Sequence, residues 1–243
     1  MNFPGMLKES GLFENFSSEL MKGRPVLIFD HEKREGETDM IFASEKVDFN
    51  SIKTLRKDAG GLVCTTIKEG LADILSMPFL EELYKRYLPY GNEASFSGDM
   101  RYDSHSSFTF TINSRNTFTG ISDKDRSITV NELVGFMKGI GEFKEPVHEF
   151  YGKFRIPGHV SLLIAREGYF SKRRGHTELA TYLVESCGLF PSATIAEMLA
   201  DDGNAMKMND AMDYADKNGL MFIEGKDIIA RWADEKGNGI GGF

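Results

Sequence analysis

Short runs of β-branched and aromatic residues alternate with segments of helical periodicity along the whole chain. Interleaved strands and helices are typical of α/β domains, so this alternation constrains the fold more than any other feature. The predicted strands are Val26–Asp30, Met40–Val47, Leu62–Ile67, Phe108–Asn113, Val160–Arg166, Ala193–Leu199 and Leu220–Glu224. The predicted helices are Met6–Met21, Asn50–Asp58, Lys68–Leu75, Thr129–Lys138, Thr177–Cys187, Asn209–Asn218 and a last segment that ends near Trp232. Because the sequence contains neither an internal repeat nor a Pro/Ser-rich linker, we expect one α/β domain over residues 1–243.

Two parts of the chain interrupt this pattern. Residues 79–106 are the least regular part, and they include Pro89, Gly91 and Gly98. A structureless loop of this length is uncommon in a compact domain unless it has a function, such as that of a lid. Whether residues 76–106 form a lid stays open from the sequence. The glycine-rich residues 237–243 are expected to form a flexible tail.

The charge balance and the short apolar runs exclude several classes of protein. The net charge is −8, whereas general binding to nucleic acid needs a basic face that displaces phosphate counterions. Apolar stretches such as Val26–Phe29 are too short to span a bilayer, and the first residues lack the features of a signal peptide. Cys64 and Cys187 are too few for a disulfide framework or a four-cysteine zinc site. We therefore expect a soluble cytoplasmic protein without nucleic-acid or membrane partners.

An acidic segment follows the first predicted strand and is the first candidate for chemistry. It contains five carboxylates and one fixed cation, namely Asp30, Glu32, Arg34, Glu35, Glu37 and Asp39. Ligands of α/β sheets gather beyond the carboxyl ends of strands, and Mg²⁺ prefers carboxylate oxygens. Glu35, Glu37 and Asp39 would share one side if the segment were extended. The alternative is a solvated charged turn between two strands.

A second candidate precedes a predicted helix, in the run from Arg173 to Thr177. Unpaired backbone N–H groups at a helix N-terminus attract anions, and Arg173, Arg174, Gly175 and Thr177 suit a phosphate. His176 could bind a divalent ion, because neutral imidazole is a metal ligand. The alternative is an N-capping turn with exposed arginines.

Single residues provide three weaker candidates. His159 comes directly before a predicted strand, where a histidine is more often structural than catalytic. Glu197 lies in an apolar run, so it is either a buried carboxyl group with a shifted pKa or an edge-strand residue that faces water. Thr119, in a Thr-Phe-Thr-Gly turn, either contacts a polyol or ends a hairpin.

Together these segments resemble the 3,4-dihydroxy-2-butanone 4-phosphate synthase family of riboflavin biosynthesis. The matching segments, in the order the family has them, are Asp30–Asp39, Thr117–Arg126, Pro157–His159, Arg173–Glu178 and Glu197–Gly203. The resemblance runs from about residue 24 to about residue 232, and the common order of five segments identifies the chain as a member. It implies a mixed sheet with flanking helices. The chain lacks the cysteines of the GTP cyclohydrolase II unit found in many relatives, so we expect the stand-alone form.

The resemblance also implies roles for the candidate residues. Glu35 and His176 would bind Mg²⁺, or Mn²⁺, with waters completing the shell. The phosphate of ribulose 5-phosphate would be bound by Arg173, Gly175 and Thr177, and Arg174 would be a further substrate-binding residue. Other substrate contacts would come from Asp30, Arg34, Glu37, Asp39 and Thr119. His159, Glu197 and Glu37 would be catalytic, and His159 and Glu197 would serve proton transfers in an order that the sequence leaves open.

Members of the family work as homodimers with active sites shared between chains. The segment from Asp30 departs from the usual pattern at His31 and Lys33, where the family often has aspartate, but it keeps the Arg34–Glu35 pair. The implied reaction removes a proton beside the ketone, loses water, migrates carbon and releases C4 as formate. Two other functions stay open: a Mg²⁺-dependent phosphosugar isomerase or aldolase, and a non-catalytic module that binds a phosphorylated ligand or an RNA end.

Overall fold

A seven-stranded mixed sheet is the centre of the fold in our computed structural model, which describes residues 9–88, 103 and 105–237. The strands are β1 (Val26–Phe29), β2 (Thr38–Ala43), β3 (Cys64–Lys68), β4 (Phe108–Ser114), β5 (Phe154–Ala165), β6 (Ala193–Glu197) and β7 (Met221–Glu224). They lie in the order β4-β5-β3-β6-β2-β1-β7. Two neighbouring pairs, β3 with β5 and β1 with β7, are parallel, and the others are antiparallel.

Helices pack on both faces of this sheet. They are α1 (Glu9–Met21), α2 (Phe49–Thr54), α3 (Glu69–Ile74), α4 (Leu80–Tyr87), α5 (Asp123–Lys138), α6 (Pro146–Lys153), α7 (His176–Ser186), α8 (Met208–Asn218) and α9 (Gly225–Glu235). A π-helical turn, Leu55–Ala59, continues α2, and short 3-10 turns follow β2, α5 and β5. The predicted α/β class, with a mixed sheet and flanking helices, is therefore confirmed.

The two-residue period of the strands produces two hydrophobic cores. In β1, Val26 and Ile28 belong to the core formed with α1, α7 and α9. Leu27 between them belongs to the opposite core, formed with α2, α5 and α8. All four residues of β1 are buried, as expected for a strand in a sheet that helices cover on both faces.

The helix predicted to begin at Thr129 begins earlier, as α5. Ser122 is its N-cap, because the Ser122 Oγ accepts a hydrogen bond from the Asp125 N–H at 3.1 Å. Thr129 lies inside the helix, where its hydroxyl donates to the Asp125 carbonyl and accepts from the Ser114 N–H. The predicted start of this helix at Thr129 is therefore wrong.

Two other boundaries differ from the prediction. The N-cap of α2 is Asp48 rather than Asn50, since the Asp48 Oδ1 accepts a hydrogen bond from the Ser51 N–H at 2.8 Å. Strand β5 begins at Phe154, so the Pro-Gly-His segment lies inside the strand instead of before it. His159 consequently takes its position from the β4–β5 pairing.

The irregular region is partly helical, because α4 occupies Leu80–Tyr87. Residues 89–102, 104 and 238–243 lie outside the described residues, so the open question of a lid and the predicted flexible tail fall largely on them. Within the part of the chain that the structure describes, no helix has the length and apolar character needed to cross a membrane.

Candidate active site

The acidic segment between β1 and β2 folds around the buried carboxylate of Asp30. The Asp30 Oδ1 accepts a hydrogen bond from the Glu37 N–H at 3.1 Å. Its Oδ2 accepts from the Glu35 N–H at 3.0 Å and from the Arg34 Nη1 at 3.1 Å. Glu35 thus lies in a turn, yet Glu35, Glu37 and Asp39 still line one cavity. The alternative interpretation of this segment, a solvated charged turn, is wrong because the side chains of Asp30 and Asp39 are buried.

The two predicted metal ligands, Glu35 and His176, contact each other directly. His176 is the first residue of α7, and its Nδ1 lies 3.1 Å from the Glu35 Oε2 and 3.6 Å from the Asp39 Oδ1. Among the described residues, the buried His176 Nε2 and Asp39 Oδ1 have no hydrogen-bond partner. One ligand atom from each of Asp30, Glu35 and His176 lies within 4.8 Å of the others. Carboxylate oxygens around an imidazole nitrogen fit a divalent ion.

Burial and charge shift the pKa values in this group in opposite directions. Burial opposes ionisation of Glu35, but the hydrogen bond and charge of His176 hold the Glu35 pKa at about 2. Burial also opposes protonation of His176, yet Asp39 and Glu35 raise its pKa to about 9. Burial raises the Asp39 pKa to about 7, although His176 opposes this shift. The Glu35–His176 ion pair therefore lies beside the Asp39 carboxyl group, whose pKa is near neutral pH.

Glu197 is the cross-strand partner of Asp39 in the β2–β6 ladder. Strand β6 lies between β3 and β2, so the alternative of an edge strand that faces water is wrong. The Glu197 side chain is half-buried, and its Oε2 accepts a hydrogen bond from the Leu62 N–H at 2.8 Å. The fold therefore orients this carboxylate toward Asp39 and the cavity.

Two arginines converge at the N-terminal end of α7. The Asp103 Oδ2 lies 2.9 Å from the Arg34 Nη2 and 2.6 Å from the Arg173 Nε. The Arg173 Nη1 donates to the fully buried Glu178 at 2.8 Å. A Cβ added at Gly175, the N-cap of α7, would collide with both guanidinium groups. Two guanidinium groups beside a helix N-terminus form an anion site, which the Asp103 carboxylate occupies here.

One cavity of about 350 Å³ joins the acidic group to the arginines. We call its predicted site residues the cavity cluster: Arg34, Glu35, Glu37, Asp39, Arg173, His176, Thr177 and Glu197. Asp30 and Gly175 contact members of this cluster from outside the cavity. Residues 105–108, at the end of the irregular region and the start of β4, line another side.

Three predicted site residues lie elsewhere. Arg174 is exposed and lines a neighbouring cavity. Thr119 and His159 do not line the main cavity, but both contact Asn113 on β4. We call Asn113, Thr119 and His159 the bulge cluster, because His159 lies where the β4–β5 ladder is irregular.

Comparison with known proteins decides the family. The model of the 3,4-dihydroxy-2-butanone 4-phosphate synthase family matches residues 14–231. The chain belongs to this family. The match includes both the cavity cluster and the bulge cluster, and the resemblance drawn from the five sequence segments is confirmed.

Curated relatives agree with this family. The 3,4-dihydroxy-2-butanone 4-phosphate synthase of Methanothermobacter thermautotrophicus is 40% identical, with 88% of this chain and 93% of that protein covered. The Archaeoglobus fulgidus protein of the same name is 38% identical, with 90% and 93% covered. The riboflavin biosynthesis protein RibBA of Bacillus subtilis is 32% identical, and the match covers 86% of this chain and 46% of that protein. The chain is therefore an enzyme of this riboflavin-biosynthesis family, as predicted.

Solved structures of the family share the fold. The Candida albicans 3,4-dihydroxy-2-butanone 4-phosphate synthase has a TM-score of 0.68 and 28% identity, with 90% of this chain and 95% of that chain covered. A synthase in complex with two magnesium ions has a TM-score of 0.73 and 23% identity, with 96% and 100% covered. The sheet and helix layers are therefore those of the family.

Sequence reasoning missed Asp103, Glu178 and Asn113. Asp103 lies in the irregular region, where no pattern indicates its contacts. Glu178 and Asn113 did carry a signal, since a carboxylate in an apolar helix and an amide in a strand both need a partner when buried. Cys64 on β3 lines the cavity as well. Burial raises the pKa of the Cys64 thiol, which keeps it protonated.

Proposed function

We propose that the chain converts D-ribulose 5-phosphate to 3,4-dihydroxy-2-butanone 4-phosphate and formate, with Mg²⁺ as the cofactor. The observation that carries this proposal is the single cavity in which Arg34 and Arg173 face a carboxylate–histidine group. A phosphosugar has matching chemistry, with a dianion at one end and vicinal oxygens at the other. The names of the relatives support the product.

The overall reaction is redox-neutral, so it needs no redox cofactor. A proton leaves the carbon beside the ketone, and water is lost. Carbon then migrates, and returning water allows C4 to leave as formate. The atoms of the two products together equal those of the substrate, so the site needs acid–base groups and charge stabilisation only.

Glu35 and His176 are the proposed ligands for Mg²⁺, with Mn²⁺ as the alternative ion. The unpartnered His176 Nε2 and Asp39 Oδ1 suit this assignment, because buried polar atoms without partners are costly. When bound, the ion supplies Lewis-acid stabilisation of negative charge on substrate oxygens. Asp30 supports the site by holding the turn that carries Glu35.

The substrate phosphate is proposed to replace the Asp103 carboxylate between Arg34 and Arg173. The Gly175 backbone and the Thr177 hydroxyl at the start of α7 complete this anion site. Glu178 holds Arg173 in place through a buried ion pair. Arg174 lies outside the cavity, so we propose that it contributes only long-range attraction.

Carboxyl groups in the cavity cluster are proposed to move protons. The Asp39 pKa of about 7 allows this group to accept and return a proton near neutral pH. Burial and the charge of Glu35 raise the pKa of Glu37 as well. Glu197 lies beside Asp39 and is held by the Leu62 N–H, which orients it for the same work.

His159 and Thr119 are proposed to act in the cavity of a second copy of the chain. Both residues are exposed, and neither lines the cavity of its own chain. In the loop between β4 and α5, which carries Thr119, Phe118 is 95% exposed and Ile121 is 54% exposed. An apolar loop tip of this kind favours burial against another protein surface. A homodimer with shared active sites would bury this tip and complete each site.

The decisive experiment measures formate and the four-carbon phosphate after incubation with ribulose 5-phosphate and Mg²⁺. We expect equal amounts of both products and no turnover in excess EDTA. Loss of substrate without formate would instead indicate an isomerase or aldolase. Binding without turnover would indicate a non-catalytic module. Ribulose without the phosphate is the control, and it should react far more slowly.

A further inference from the structure

The ladder between β4 and β5 shifts register at one point. Ile112 pairs with Val160, but the next residue, Asn113, pairs with Arg155. Residues 156–159 are therefore left over on β5 as a bulge, and His159 is its last residue. Bulges next to functional sites commonly redirect a side chain.

Side chains of β4 bond the backbone of this bulge. The Thr111 Oγ1 accepts a hydrogen bond from the Gly158 N–H at 3.1 Å, and the Asn113 Oδ1 accepts from the His159 N–H at 2.8 Å. A Cβ added at Gly158 would collide with the backbone of Ile112 and Asn113. The strands therefore approach closely enough to fix the His159 backbone against Asn113.

Two backbone groups determine which end of the Asn113 carboxamide is the oxygen. The His159 N–H is a donor and needs the Oδ1 as its acceptor. The Thr119 carbonyl is an acceptor and lies 3.3 Å from the Nδ2. If the amide were rotated by half a turn, the Nδ2 would face the His159 N–H, which is also a donor, and the Oδ1 would face the Thr119 carbonyl, which is also an acceptor. The observed orientation satisfies both neighbours.

The same Nδ2 lies 3.0 Å from the His159 Nδ1. A carboxamide nitrogen can only donate, so the Nδ1 must be the acceptor and carry no proton. We propose that Asn113 is a positioning residue that holds neutral His159 in the tautomer with its proton on Nε2. The Nε2–H is then the ring group left to face a ligand.

This tautomer has a chemical consequence that rests on the proposed function. With the Nδ1 occupied and the Nε2 protonated, neutral His159 can donate a hydrogen bond but cannot take up a proton from the substrate. His159 then stabilises negative charge on a substrate oxygen, as neutral imidazole does in other enzymes. Proton removal is left to the carboxyl groups of the cavity cluster.

The tautomer is measured by NMR on protein with ¹⁵N-labelled histidine. Long-range ¹H–¹⁵N correlations show which ring nitrogen carries the proton, and His159→Gln identifies the signals among the five histidines. At about pH 8, where an ordinary imidazole is neutral, we expect a bare Nδ1 and a protonated Nε2. A protonated Nδ1 in the wild type would overturn the proposal.

Asn113→Asp tests the cause of the tautomer. A carboxylate still accepts from the His159 N–H, but it also accepts at the Nδ1, so the proton should move to the Nδ1. We expect formate production to fall at least tenfold with little change in KM. Asn218→Asp, the same exchange at an exposed position on α8, is the control and should change neither readout.

If Asn113→Asp keeps the proton on Nε2, Asn113 does not set the tautomer. Should that variant fail to fold, Asn113→Ser replaces it, because a short hydroxyl releases the Nδ1 and both tautomers should appear. A single Nε2–H tautomer in Asn113→Ser would also overturn the proposal. Wild-type protein with the expected tautomer but without formate production would contradict the proposed function and leave this inference standing.

Discussion

The cavity cluster and the bulge cluster differ in how the fold holds them. Charged groups hold the cavity cluster in place: within it Glu35 bonds His176, and from outside it Asp30 bonds Arg34 and Glu178 bonds Arg173. In the bulge cluster, the uncharged Asn113 positions His159 through two hydrogen bonds, and the imidazole is exposed.

This difference supports the proposal that the two clusters are halves of one active site. The cavity cluster is already buried and organised within a single chain, as expected for groups that bind an ion and a phosphate. In the bulge cluster, Asn113 holds Thr119 and His159 by hydrogen bonds while both stay exposed, which suits the proposed role of completing a site on another copy.

The largest expected effect concerns the proposed metal ligands. Glu35→Gln or His176→Ala should reduce formate production roughly a thousandfold or more, because charge stabilisation by the ion is lost. Thermal stabilisation by Mg²⁺ should disappear in the same variants. His159→Asn, in the bulge cluster, should lose formate production but keep the stabilisation by Mg²⁺. Full activity of either cavity variant, or of the wild type in excess EDTA, would contradict the assignment.

A smaller effect is expected at the anion site, where two adjacent arginines provide a matched pair. Arg173→Ala should weaken binding of ribulose 5-phosphate by roughly 2–4 kcal/mol, because a charge-assisted contact is lost and the buried Glu178 loses its partner. Arg174→Ala should change binding far less, since Arg174 lines the neighbouring cavity. Titration calorimetry with the inactive Glu197→Gln background measures both. Equal effects of the two substitutions would place the phosphate elsewhere.

The smallest expected effect is the pH dependence of stability in metal-free protein. Since folding raises the His176 pKa to about 9, its contribution is full below about pH 6.5 and is lost as the pH rises through 9. Folding also raises the Asp39 pKa, to about 7. The contribution of Asp39 to stability is therefore full below about pH 3.8 and is lost as the pH rises through 7. The free energy of unfolding should therefore fall between pH 6.5 and 9.5 by on the order of a few kcal/mol.

Urea denaturation in EDTA checks this pH dependence. The free energy of unfolding of His176→Gln should fall much less with rising pH than that of the wild type. His159→Gln is the control, because His159 is exposed and lies outside the cavity cluster. An identical pH dependence of wild type and His176→Gln would contradict the electrostatic account of the cavity cluster.

The sequence predicted the strands and helices well where hydrophobic periodicity decides them. It misplaced boundaries where one hydrogen bond decides them. Thr129 has the sequence pattern of a cap, but Ser122 is the residue that bonds the first turn of α5. The Pro-Gly-His segment lies within β5 because side chains of β4 satisfy its backbone, and that pairing is invisible in a single segment.

The candidate site was predictable in its residue types and only partly in its contacts. Adjacent arginines and clustered carboxylates were visible as patterns, and the fold brings most of them into one cavity. Asp103 reaches Arg34 and Arg173 from a distant part of the chain, so no local pattern could reveal it. Whether Glu197 lay on an edge or a central strand depended on sheet order, which strand periodicity does not determine.

A shared active site requires the cavity cluster of one chain to work with the bulge cluster of another. Mixing inactive Glu35→Gln with inactive His159→Asn tests it, because one site of each mixed dimer would then combine two intact halves. After random subunit exchange, about a quarter of wild-type formate production should return. Mixing Glu35→Gln with His176→Ala is the control and should restore nothing, since both changes lie in the cavity cluster. No recovery in the first mixture, with mixed dimers confirmed by mass spectrometry, would contradict the shared site.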